Sequence, residues 1–228
     1  MWCGNTRTRK IRIVVAYNGK PGQGNSQYNV WVADSLYLSL WFPTFDLPDI
    51  LPRTVSVLQQ LPFSAARPGV TYAAIHPVSW SEPTVLERRF VPGLPPQEAV
   101  GVASDFLHED YAYVFEAYWD LWAPPEFGDK WILEPSLVRV IAHGPEFEED
   151  AAEAAGHIQI DFGLDTPFLH EEVALTSETE DRVRSNVQQL VEFTAKVETN
   201  AGATARLLWS ESEENLAQKL ISRLQRTN

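Results

Sequence analysis

His157-Ile158-Gln159-Ile160-Asp161 sets an imidazole, an amide and a carboxylate at alternate positions of one short run. Alternate side chains of an extended strand share a face, so His157, Gln159 and Asp161 would line one side and Ile158, Ile160 and Phe162 the other. A carboxylate can orient an imidazole as a general base, which makes His157 and Asp161 the candidate catalytic pair of a small-molecule hydrolase. Neighbours on such a face stand about 6–7 Å apart, too far for a direct hydrogen bond without side-chain reach or water. A wetted outer face of an antiparallel sheet is the plainer reading.

The densest acidic run is Glu146-Phe147-Glu148-Glu149-Asp150. It lacks the alternating Asp/Asn ligands and turn glycine of a calcium loop. It reads as a solvated loop that could meet a basic partner, with Trp119 and Trp122 as aromatic anchors and Glu146, Glu148, Glu149 and Asp150 as the charged contacts. His108-Glu109-Asp110 and His170-Glu171-Glu172 also combine ligand types, but consecutive side chains point in different directions, so these read as loop residues. No His-Glu-x-x-His pair occurs and Cys3 is the single cysteine. No metal and no cofactor is expected.

Two tripeptides recur at a constant offset of 129 positions: Gln59-Gln60-Leu61 with Gln188-Gln189-Leu190, and Trp80-Ser81-Glu82 with Trp209-Ser210-Glu211. The collinearity suggests an internal duplication into lobes 1–108 and 109–228, which could also form one compact unit. Each serine would sit where a strand ends and could cap a helix. Neither is framed as a nucleophile elbow, so a serine hydrolase is disfavoured.

The elements that would position these residues follow from hydrophobic period. Alternation predicts strands over 10–17, 28–32, 70–80, 85–90, 111–122, 131–142, 157–163 and 204–209. Helical spacing predicts helices over 47–61, with Pro48 in the first turn, over 97–107, over 177–200 and from Leu216 to Leu224. Ser177 with Glu180 reads as the capping box of the third. The Gly-rich segment 18–26 lacks the Gly-Lys-Ser/Thr ending of a phosphate loop and reads as a hairpin connection, and the proline-rich segment 91–96 reads as a loop. The mixture without a strict βαβ rhythm is α+β, with mostly antiparallel sheets and packed helices.

The chain has 228 residues, 31 acidic against 18 basic, for a formal charge of −13. Eight Trp, seven Tyr and eleven Phe supply a core and argue against disorder. The acidity is confined: residues 109–180 hold eighteen acidic and two basic residues, whereas residues 1–33 hold five basic and none acidic. Such a balance disfavours nucleic-acid binding. No apolar run is long enough for a membrane span or a secretory signal, so a cytoplasmic protein is expected. The sequence leans away from an enzyme and toward an interaction module whose acidic, aromatic-rich second half binds a basic protein. An inhibitor- or immunity-like role is an analogy of charge and size only.

Overall fold

A computed structural model describes residues 34–124, 130–149, 151–170, 175–210 and 216–225. The strands expected over 10–17 and 28–32 and the Gly-rich connection between them lie outside these residues. The described residues belong to one compact unit.

Seven strands build a single, wholly antiparallel sheet: β1 (Ser35–Trp41), β2 (Val70–Pro77), β3 (Leu86–Leu94), β4 (Tyr111–Ala123), β5 (Ile132–His143), β6 (Ile158–Leu164) and β7 (Ala205–Ser210). Their order is β3-β2-β4-β5-β6-β1-β7. The helices are α1 (Leu47–Leu58), α2 (Pro96–Gly101), α3 (Ala151–Ala155), α4 (Thr166–Leu169), α5 (Ser177–Ala201) and α6 (Leu216–Leu224). The fold is α+β, as the mixed periodicities predict, and strands from both sides of residue 108 share the sheet.

The parity of β4 decides which face is covered. Tyr113, Phe115, Ala117, Trp119 and Leu121 point to the side where α1, α2, α4, α5 and α6 pack, and all are buried. Trp119 lies 5.2 Å from Phe162, 6.0 Å from Phe168 and 6.2 Å from Phe193, ring centre to ring centre. Fully burying each such ring contributes about 1.5–3 kcal/mol. The alternate residues form the other face, where the register aligns Arg89, Tyr72, Glu116, Arg139, Asp161, Tyr37 and Trp209 in one row across all seven strands.

Several local expectations change. The capping box of α5 is Thr176 with Thr179, one residue ahead of Ser177, and Gly202 ends the helix at φ 75°. Val191 faces outward, while Asn186, Phe193 and Thr194 join the buried stripe. Residues 91–94 are not loop but the end of β3, because an edge strand tolerates a proline that donates no ladder hydrogen bond. The expected helix over 97–107 is α2 followed by a separate 3-10 turn, Ser104–Phe106. The duplication is not confirmed: Gln59-Gln60-Leu61 follows α1, whereas Gln188-Gln189-Leu190 lies inside α5. Trp80 and Ser81 sit in a turn after β2, whereas Trp209 and Ser210 are strand residues. Neither serine caps a helix amide among the described residues; Ser81 Oγ meets Ser79 Oγ at 2.8 Å and Ser210 Oγ is buried without a partner.

Candidate functional site

At one end of the sheet three connections meet: 78–85 between β2 and β3, 101–110 before β4, and 144–157 between β5 and β6. Backbone hydrogen bonds lace them together. Val78 N donates to Asp110 O at 2.7 Å, Glu146 N to Glu109 O at 2.8 Å, Gly144 N to Tyr111 O at 2.8 Å and Glu148 N to Val78 O at 3.1 Å. Two of the bonded residues are non-glycines in the left-handed region, Val78 at φ 59° and Glu148 at φ 43°. Each such conformation costs on the order of 1–3 kcal/mol and persists only where the surroundings enforce it; such residues cluster at functional sites.

Glu82, Asp105, Glu109, Asp110, Glu146, Glu148, Glu149 and Glu153 lie on these connections, and the connections carry no Lys or Arg. Trp80 lies on the first of these connections and is 41% exposed. Its amide donates to Glu148 Oε1 at 3.0 Å. Beneath its indole lie His76 at 4.9 Å, Phe147 at 5.0 Å and His143 at 6.1 Å, ring centre to ring centre. The acidic loop is therefore closed over an aromatic floor, with Phe147 buried and Glu146 and Glu149 turned to solvent.

Three of the histidines at this end, His76, His143 and His157, favour the neutral form. Burial lowers the pKa of His76, His143 and His157. His143 Nδ1 lies 2.9 Å from Gly156 O, which can only accept, so this nitrogen bears the proton. His157 Nδ1 accepts from Phe42 N at 3.0 Å, which leaves its proton on Nε2. The His157 ring stacks on Phe45 at 4.8 Å. It also lines a cavity of about 400 Å³ with Trp41, Phe45, Pro145, Glu148 and Glu153.

His157 and Asp161 are not brought together. The alternation of β6 is as expected, but four residues of strand rise separate them by about 13 Å. Asp161 is otherwise engaged: Oδ1 accepts from Gly163 N at 2.7 Å and Oδ2 from Arg139 at 3.5 Å, while Arg139 Nε donates to Glu116 at 2.8 Å. This network orders the outer sheet face and leaves His157 without its expected partner.

The expected binding residues also separate. Trp119 is fully buried, because residues three apart on a strand face opposite ways and its parity is the core parity. Trp122 lies at the far end of β4, under Arg182 at 5.1 Å, with its amide bonded to Asn186 Oδ1 at 2.9 Å. Glu146, Glu148 and Glu149 do lie together, and Asp150 is outside the described residues. Of the two His-acid runs, His108 pairs with Asp110 on the surface. His170 is buried against Trp131 at 4.8 Å, with its pKa lowered to about 4 by burial and by nearby Arg223; Glu171 and Glu172 lie outside the described residues. The aromatic partner of the acids is Trp80, visible in the sequence only as part of a repeated tripeptide. No group of His, Cys, Asp and Glu among the described residues could hold a metal ion, and no described helix is long and apolar enough to cross a membrane. No protein-family model, curated protein or solved structure matches the chain.

Proposed function

We propose that this protein is a non-enzymatic interaction module that receives a basic protein on the acidic end of its sheet. The observation that carries the reading is the lacing, at the end of the sheet where half-exposed Trp80 stands, of three lysine- and arginine-free connections that carry eight described carboxylates. A rigid acidic surface steers a cationic partner, and an aromatic ring fixed within it is the type of residue that dominates interface energies. His76, His143 and His157, whose pKa values burial lowers, add little opposing charge. The cavity beside His157 combines the aromatic walls of Trp41 and Phe45 with Glu148 and Glu153, a lining suited to a lysine or arginine side chain of the partner. The alternative, a hydrolase using His157 and Asp161, draws no support from this placement, since Asp161 is committed to Arg139 and Gly163.

Affinity capture from native lysate tests the reading. The wild-type protein is expected to retain a specific basic protein at low salt and release it at high salt. A triple variant, Glu109→Gln, Glu146→Gln and Glu149→Gln, should retain much less of it. Recovery of no specific partner, or of one indifferent to the three substitutions and to salt, contradicts the proposal.

A further inference from the structure

Among the described residues four arginines lie over aromatic rings: Arg53 over Phe42, Arg182 over Trp122, Arg67 over Tyr118 and Arg89 over Tyr72. The first two also have polar partners, Arg53 donating to Ala201 O at 3.2 Å and Arg182 to Glu178 Oε1 at 2.5 Å. Arg67 and Arg89 side chains have no carboxylate or carbonyl partner among the described residues, although acidic residues outnumber basic ones 31 to 18. Both line one cavity of about 340 Å³ on the outer face of the sheet, away from the acidic end.

The lining explains what these two cations could hold. Stacking uses the flat face of a guanidinium and leaves its in-plane N–H donors for an oxyanion. The rings lie 4.5 Å from the Arg67 guanidinium and 5.4 Å from that of Arg89, so both groups are placed before any ligand arrives. Glu116 is the sole carboxylate of the lining, and it pairs at 2.8 Å with Arg139, which it shares with Asp161. Burial and the nearby Glu87 carboxylate raise the Tyr72 pKa, and Glu87 is not part of the lining. Phe90, Pro68 and Pro92 add apolar walls. Gly93 of the lining and neighbouring Gly69 let two backbones cross: a Cβ at Gly93 would lie 2.2 Å from Pro68 O, and one at Gly69 2.5 Å from Leu94 O.

We propose that this cavity binds a small molecule in which an oxyanion, carboxylate or phosphate, is attached to a planar ring. The oxyanion meets Arg67 and Arg89, and the ring lies among Tyr72, Tyr118 and Phe90. This site is independent of the acidic end and of the partner proposed for it.

Titration of the full chain with phenyl phosphate, benzoate and inorganic phosphate, followed by calorimetry and by the arginine Nε resonances, tests the proposal. At least one of the two ring-bearing anions is expected to bind at least tenfold more tightly than inorganic phosphate and to shift the Arg67 and Arg89 signals. Preference between the two names the oxyanion. Arg67→Gln and Arg89→Gln, both exposed positions, should each weaken binding about tenfold, whereas Arg206→Gln should leave it unchanged. Absence of binding by either ring-bearing anion at millimolar concentration overturns the proposal. So does inorganic phosphate binding as tightly as they do, or binding that survives both arginine substitutions.

Discussion

The two ends of the β2-β3 hairpin carry opposite chemistry. Where β2 leaves the sheet at Pro77, the chain enters the acid-bearing connections around Trp80; where it begins at Val70, the neighbours are Arg67, Arg89 and their tyrosines. Along the sequence, residues 34–108 hold four basic and seven acidic residues, and that near-balance hides the contrast. Antiparallel register sorts the charges: it carries Glu82 to the end reached by Glu109 and Glu146, and returns Arg89 beside Tyr72. Charge counted by segment and charge counted by position are therefore different quantities, and only the second selects ligands.

The largest expected effect comes from breaking the arginine end alone. Gly93→Ala sets a methyl group against the Pro68 carbonyl, with backbone on both sides of the contact. It should destabilise the fold by about 4 kcal/mol, seen as a lower denaturation midpoint, and it should abolish aryl-oxyanion binding. The laced acidic loops, which share no hydrogen bond with Gly93 among the described residues, should keep their amide-exchange protection below the new midpoint.

A slightly smaller effect separates acid-induced unfolding from titration of the acidic end. The folded-state pKa of His170, about 4, is below its ordinary 6.5. Between these values the unfolded chain binds the extra proton, so stability is full above pH 6.5 and falls as pH drops toward 4. The loss amounts to at most about 3 kcal/mol. His170→Asn suits the left-handed backbone at φ 41° and should reduce the pH dependence of the urea midpoint over that window, leaving the smaller share of His76, His143 and His157, whose pKa values burial also lowers. Loss of partner binding near pH 4 in that variant then reports the carboxylates.

Within the acidic end, Glu148 differs from its neighbours. Glu148→Ala removes the acceptor of the Trp80 amide and should cost about 1 kcal/mol, with faster exchange of that amide. Glu146→Gln and Glu149→Gln change exposed side chains and should shift stability by less than about 0.5 kcal/mol. They should nonetheless slow association with a basic partner. Equal stability effects at all three positions would erase the distinction between the carboxylate that builds the loop and those that face outward.

Strands were legible because a half-buried sheet imposes a period of two: β4 matches its expected span closely, and His157, Gln159 and Asp161 share the open face. Helix ends were legible where glycine or proline punctuates, as at Gly202 and Pro48. Parity, however, says which residues are together and not which face the helices cover, so Trp119 read as an anchor and lies in the core. Asn186 gave no signal beyond a polar residue on a helix, yet it bonds the Trp122 backbone at both N and O and also Pro167 O. The acidic end was half legible: Glu146, Glu148 and Glu149 stand out as a run, but Trp80, Glu109 and Asp110 join them only through pairing across 30 or more residues. The arginine cavity had no sequence signature, because Arg67 before β2, Arg89 on β3 and Tyr118 on β4 line it together from distant parts of the chain.

The most direct test of the central claim is an NMR titration with a short oligo-arginine peptide, following the Trp80 indole signal and the amides of residues 144–149 at low and high salt. The account predicts shifts confined to this end, lost at high salt as screening shortens the reach of charge, and absent in the Glu109→Gln, Glu146→Gln, Glu149→Gln variant. Shifts spread over the acidic surface without preference for Trp80, or unchanged in that variant, would contradict it.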